Sequence, residues 1–177
     1  AKVHENGSLG KTECWFILDC KENATLVVGH NAKTKEELEQ MIHEGRWKEF
    51  IREIPIKPGD FIQIDPGTVH AIKGGTLLLE TQQSSDITYR VYDYDRLSNG
   101  KPRQLHIAQS IDVITVPAKS ADNSVVHTEK KDDAIQQLIQ CPYYTVYRID
   151  VEHRVETWQD KPFALMSVVE GEGTLNG

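Results

Sequence analysis

"IPIKPGDFIQIDPGTVHAIKGGTLLLETQQ", residues 54 to 83, sets short β-prone runs between the turn pairs Pro58-Gly59, Pro66-Gly67 and Gly74-Gly75. Proline fixes φ and glycine accepts positive φ, so each pair ends one strand and starts the next. Runs this short, punctuated this often, predict an antiparallel sandwich or barrel. His70 stands three residues after a Pro-Gly turn, where an apolar run opens. Taken alone, it reads as a satisfied core or surface histidine or as a metal ligand.

Working outward, "ECWFILDC" (13 to 20) and "ATLVVGHN" (24 to 31) have the period of strands, and the short polar link "KEN" between them predicts a hairpin. A helical insertion follows over 34–51. Thr34 with Glu37 three residues later forms a capping box, and Leu38, Met41, Ile42 and Phe50 recur at helical spacing, with a break at Gly45. "ITYRVYDYDR" (87 to 96) predicts further strand, and "LHIAQSIDVI" predicts a helix opening at His106. The polar stretch after Val116 lacks periodicity, whereas "YYTVYRIDVE" and "FALMSVVEGEGTL" again read as strands. The expected organisation is a mainly β domain over 1–115, a connector over 116–140 and a partial β domain over 141–177. Strands ending so abruptly would leave open edges, so the chain either stops inside a second domain or needs a partner chain.

A formal charge of −7 with no Lys/Arg cluster argues against a nucleic-acid partner, because such binding neutralises many phosphates. An anionic small substrate needs only one local cationic group. No apolar run approaches the roughly 20 residues needed to span a bilayer. The first residues lack the basic-then-apolar pattern of a secretory signal, so a cytoplasmic protein is expected. Cys14, Cys20 and Cys141 form neither a disulfide framework nor a paired metal spacing. A monomer or weak homo-oligomer is expected.

Charged groups in strand-like segments are costly unless paired, hydrated or metal-bound. Alternation places Lys11, Glu13, Trp15 and Ile17 on one face, Leu78, Glu80 and Gln82 on another, and Arg90, Tyr92 and Tyr94 on a third. Charge thus recurs beside apolar and aromatic side chains, as in a lined cavity. The plainer alternatives are a solvated Lys11 and a surface ion pair of Arg90 with Asp86, worth under about 1 kcal/mol.

"KPGDFIQIDPGTVHAI" resembles the second conserved motif of cupins, in which a histidine after the Pro-Gly turn points into the barrel as a metal ligand. With "GKTECW" and "ETQQSSDITYRVYDYDR", the likeness narrows to the short bacterial form of the type I mannose-6-phosphate isomerases and covers nearly the whole chain. The resemblance implies a cupin jelly-roll barrel with Glu13 and His70 as zinc ligands and Arg90 as the active-site arginine. Glu80 matches a position lining the metal pocket, while Lys11 and Asp86 match polar positions assigned to proton transfer or substrate binding. The family's other ligands, in a "QVHP" motif, precede the "KTE" segment and have no counterpart here, so the resemblance implies an internal fragment lacking the N-terminal strands and the end of the C-terminal domain; His4 reads as a surface residue.

Family members interconvert mannose 6-phosphate and fructose 6-phosphate through an enediol. Zinc acts there as a Lewis acid, and a general base must reach the C2 proton. Lys11 and Glu80 both remain open for that role, and Arg90 fits either the enediolate or the phosphate. The rival readings are a non-catalytic cupin that binds or senses a sugar phosphate, and another cupin isomerase or epimerase. His30, His43, His106, His127 and His153 do not gather into a site by sequence and read as solvated or capping residues. Trp15 and Trp47 read as core, and the tyrosines of "YDYD" as packing.

Overall fold

The computed structural model describes residues 7, 10–120, 125–127, 134–158 and 160–175. They fall into two units, divided between Glu129 and Lys130. In the first, β1 (Glu13–Cys20) lies in a four-stranded sheet of order β6-β1-β4-β9, with β4 (Asp60–Ile64), β6 (Thr76–Gln82) and β9 (Val125–His127). β2 (Thr25–His30) is the middle of a second sheet, between β3 (Ile51–Pro55) and β5 (His70–Ala71). All neighbouring strands in both sheets are antiparallel.

Alternation explains the core between them. Trp15 and Ile17 of β1, Ile62 and Ile64 of β4, Leu26 and Val28 of β2 and Ile54 of β3 are buried in one cluster, with Ile56 just beyond β3. Burial of such side chains contributes roughly 1.5–3 kcal/mol each. A second cluster joins the helices: Leu38, Met41 and Ile42 of α1 (Lys35–His43), Phe50 of α2 (Trp47–Phe50), and Ile111 of α3 (Ile107–Val113). The N-cap forms, with Glu37 N donating to Thr34 Oγ1 at 3.2 Å, while the Glu37 carboxylate accepts from Lys33 N at 2.6 Å, and Gly45 breaks the chain at φ +66°. No helix among the described residues is long and apolar enough to cross a membrane.

Three expectations change. β1 and β2 do not form a hairpin: both edges of β1 are taken, by β4 and β6, so the "KEN" link carries the chain from one sheet to the other. Asn23 makes that passage at φ +57°. Residues 87–96 are not a strand. Arg90 uses its backbone N–H and C=O on His106, and Tyr94 and Asp95 both stand at φ +54°, outside the β region. The chain resumes pairing only in the small hairpin β7 (Leu97–Ser98) and β8 (Lys101–Pro102), turned by Asn99 and Gly100 at positive φ. The stretch 116–140, expected as connector, contains β9, which extends the β4 edge, and β10 (Ile135–Gln140). Tertiary pairing of a three-residue strand leaves no periodic trace in sequence.

The second unit is an antiparallel hairpin of β10 and β11 (Thr145–Ile149), closed by Cys141 N donating to Tyr144 O at 2.9 Å. Its described residues 163–175, expected as strand, carry none, and Phe163, Leu165, Met166 and Val168 are exposed. A strand exists only through a hydrogen-bonded neighbour, and none among the described residues pairs with this stretch.

Candidate active site

Glu13 opens β1 on the same face as Trp15 and Ile17, so its carboxylate ends an apolar row and is 2% exposed. His70 opens β5 directly opposite Val28, whose side chain lies in the core; opposite residues of an antiparallel pair share a face, so the imidazole turns inward. The two groups therefore approach from different sheets, and Glu13 Oε1 lies 2.7 Å from His70 Nε2. The Trp15 ring packs edgewise on His70, centroids 5.5 Å apart. His70 Nδ1 donates to the Thr68 carbonyl at 2.8 Å, which selects the tautomer whose Nε2 faces Glu13.

The turn that presents His70 is closely packed. Gly67 has φ +85°, and a Cβ there would lie 2.7 Å from the Val113 carbonyl oxygen, while Thr115 N donates to Gly67 O at 3.0 Å. Only glycine fits this turn against the segment after α3. On the other side, Gln83 clamps both backbone groups of Thr12: its side chain accepts from Thr12 N at 2.9 Å, and its own N–H donates to Thr12 O at 3.0 Å. The residue before Glu13 is thereby fixed.

Two acceptor atoms at 2.7 Å need a cation between them. Without metal, that cation is a proton. Burial alone would lower the His70 pKa, but the hydrogen bonds to Glu13 and Thr68 and the Glu13 charge raise it overall. Burial alone would raise Glu13, yet His70, Glu80 and Lys11 bring it down to about 2. Lys11 Nζ sits 3.2 Å from Glu13 Oε2 and donates to Gln82 Oε1 at 2.6 Å. Glu80, at the exposed rim opposite Trp15, has its pKa raised by burial and by its hydrogen bond with Glu13, so it holds its proton to higher pH.

These residues have donor chemistry suited to a cation such as zinc. Glu13 Oε2 is buried without an aligned hydrogen bond, and the imidazole is oriented as a metal-bound histidine is. Among the described residues, no group of three or more His, Cys, Asp or Glu side chains is set to hold a metal ion, whereas a structural zinc site takes about four ligands.

The structure brings Lys11, Glu13, His70 and Glu80 together. Arg90 has other partners: Nη1 donates to Gln104 O at 3.2 Å, and Nε lies 3.7 Å from Asp93, not from Asp86. Asp86 is exposed in the same irregular segment. His4 lies outside the described residues, as does the side chain of His127. His30, expected as solvated or capping, is 3% exposed, with Nε2 donating to Thr115 O at 2.9 Å and its ring stacked on Phe50. Sequence reasoning missed the parts played by Gln82, Gln83 and Thr68. Gln82 carried a usable signal, since alternation already placed it on the face of Glu80.

The chain is 51% identical over 176 residues to "Mannose-6-phosphate isomerase ManA" of Bacillus subtilis, covering 99% of this chain and 56% of that protein. It is 46% identical to "Mannose-6-phosphate isomerase" of Streptococcus mutans, covering 99% of this chain and 55% of that protein. Over nearly its whole length the chain is similar to mannose-6-phosphate isomerases. The model described as "Mannose-6-phosphate isomerase, cupin domain" matches residues 134–177. The crystal structure of the mannose 6-phosphate isomerase from Bacillus subtilis superposes with a TM-score of 0.72 at 48% identity, over 83% of this chain and 47% of that one. The fold is accordingly a cupin-type β fold. The chain spans about half the length of the curated relatives it matches.

Proposed function

We propose that this chain carries part of the active site of a zinc-dependent aldose-ketose isomerase that interconverts mannose 6-phosphate and fructose 6-phosphate. The observation behind this reading is the meeting of Glu13 Oε1 and His70 Nε2 across the core, ringed by Lys11 and Glu80, in a chain similar to these isomerases. Glu13 and His70 would hold the metal. When bound, zinc supplies Lewis acidity toward the substrate's carbonyl oxygen.

The chain's own residues do the rest. Thr68 keeps the His70 Nε2 lone pair available by holding the proton on Nδ1. Gln82 tethers Lys11 beside Glu13, placing an ammonium where charge develops as the C2 proton leaves. Glu80 in its ionised form would take the C2 proton and, as the acid so formed, return it to C1 through an enediol, its raised pKa making it the stronger base; Lys11 in its neutral form is the alternative base. Arg90 offers a planar fork to an oxyanion of the substrate. Asp86, exposed and outside this group, receives no role in the proton transfer.

The test is a chimera in which these residues replace the matching segment of the Bacillus subtilis enzyme. It converts mannose 6-phosphate to fructose 6-phosphate in a coupled assay, and His70→Ala within it lowers kcat/KM by about 10²-fold or more. A folded chimera without turnover contradicts the reading.

A further inference from the structure

β2 carries an irregularity that the Glu13–His70 contact does not require. Val27 pairs with Glu53 and His30 with Ile51, so two residues, Val28 and Gly29, stand opposite the single Arg52. Such a bulge re-aims the side chain that follows it. Plain alternation would send His30 to the side of Val28, into the core between the sheets. Instead its ring stacks on Phe50 of the second cluster, centroids 5.3 Å apart, and is 3% exposed. There Nε2 donates to Thr115 O at 2.9 Å, while Nδ1 is buried without a partner among the described residues.

A carbonyl only accepts, so Nε2 holds the proton, and burial lowers the His30 pKa and keeps the ring neutral. Beside Phe50 a phenyl group would fill the same volume and leave no acceptor unpaired, so packing does not account for an imidazole here. What the imidazole adds is one directed donor on Thr115. Thr115 carries that bond onward: its N–H donates to Gly67 O at 3.0 Å, and the next residue of that turn, Thr68, offers the carbonyl that accepts from His70 Nδ1 at 2.8 Å.

Arg52 adds a second hold on the same segment. Its Nε donates to Val28 O at 2.8 Å and its Nη2 to Lys119 O at 2.6 Å, and Lys119 Nζ pairs with Asp65 at the start of the turn. Gly29, at φ +90°, leaves Arg52 room to cross, because a Cβ there would lie 2.7 Å from the guanidinium carbon. Gly29 N also donates to Val69 O at 2.6 Å, at the far end of the turn. The bulge thus governs the chain from Asp65 to Val69 through Thr115, through Lys119 and directly.

We propose that His30 and Arg52 are positioning residues for His70: by holding segment 115–119 against the turn 65–69, they fix the Thr68 carbonyl and with it the nitrogen that His70 presents to Glu13. Released from that carbonyl, the imidazole can offer either nitrogen. In taking the presented nitrogen as a metal ligand, the proposal rests on the function proposed above; the bracing of the ring does not.

The test compares the imidazole nitrogen NMR signals of His70 in the metal-free 177-residue chain and in His30→Phe, His30→Gln and Arg52→Met. Phenylalanine keeps the volume and removes the donor, whereas a glutamine amide returns a donor near the position of Nε2. His30→Phe and Arg52→Met are expected to move the His70 Nδ1 signal and to speed exchange of its proton about tenfold. His30→Gln is expected to restore most of both, and the urea-unfolding midpoint of His30→Phe to stay near that of the wild type. Arg52→Met, outside both core clusters, decides alone if His30→Phe does not fold. His70 signals unmoved in the folded variants, or displaced as far by His30→Gln as by His30→Phe, overturn the proposal. Moved signals beside a chimera without turnover uphold the brace and remove the isomerase reading; unmoved signals beside an active chimera remove the brace and leave that reading standing.

Discussion

His70 is held by a carbonyl on one nitrogen and a buried carboxylate on the other, and its charge follows from that setting. Its folded pKa is raised above the usual imidazole value of 6.5. The contribution of the pair to the stability of the metal-free chain is therefore fully present below about that pH and is lost as pH rises through the folded value. His70→Gln should lower stability by about 1–2 kcal/mol at pH 6, discounted for the partial exposure of the ring. It should also abolish the decline in urea-unfolding free energy as pH rises above the usual imidazole value; an unchanged decline would assign that decline to other groups. Asp93 has the opposite sign. Hydrogen bonds and charge from Arg103 and Arg96 outweigh burial and lower its pKa from 3.8 to about 2, so its contribution is present above pH 4 and fades as pH falls toward 2. Asp93→Asn should flatten the acid limb of the stability profile in that window, as measured by denaturant titration. At this scale the sequence was informative where a polar side chain sat at an alternating position, as with Glu13, Glu80 and Gln82. It was silent about Arg90, because a long side chain on irregular backbone reaches partners that no period describes.

Strands β1, β2, β4, β6 and β11 were readable one at a time, and their assignment to sheets was not. "KEN" has a length suitable for a hairpin and equally for a step between sheets; what decides is that β4 and β6 already flank β1. The helical insertion was legible because capping and 3.6-residue spacing agree with each other. The segment 87–96 misled because β-branched and aromatic residues favour strands wherever a partner is available. Here its hydrogen bonds go to His106, its rings to Trp47 and its charges to Asp93. Gly67 provides the test at this scale. Gly67→Ala places a methyl group 2.7 Å from the Val113 carbonyl oxygen at φ +85°, so the turn must move. The substitution should cost about 1–3 kcal/mol and shift the His70 ring signals. An alanine variant of wild-type stability with unshifted His70 resonances would mean that the turn is not fixed by the segment after α3.

Taken whole, the first unit is two antiparallel sheets whose shared apolar interior ends in a polar mouth, and the Glu13–His70 contact exists because one side chain comes from each sheet. That geometry makes the site depend on the tertiary fold rather than on any local segment: Glu13 and His70 are 57 positions apart and touch only when both sheets close on Trp15, Ile62 and Val28. The net charge of −7 is compatible with an anionic sugar substrate because the exceptions to it are local, at Lys11 and at the Asp93 arginines. The most direct test is the imidazole nitrogen NMR spectrum of His70 during addition of zinc. Displacement of the shared proton by the metal should move the Nε2 resonance while Nδ1 stays protonated on Thr68, and Glu13→Gln should weaken the response. Zinc that leaves both nitrogens unmoved, or that perturbs Nδ1 in place of Nε2, would contradict a cation site formed by these two side chains.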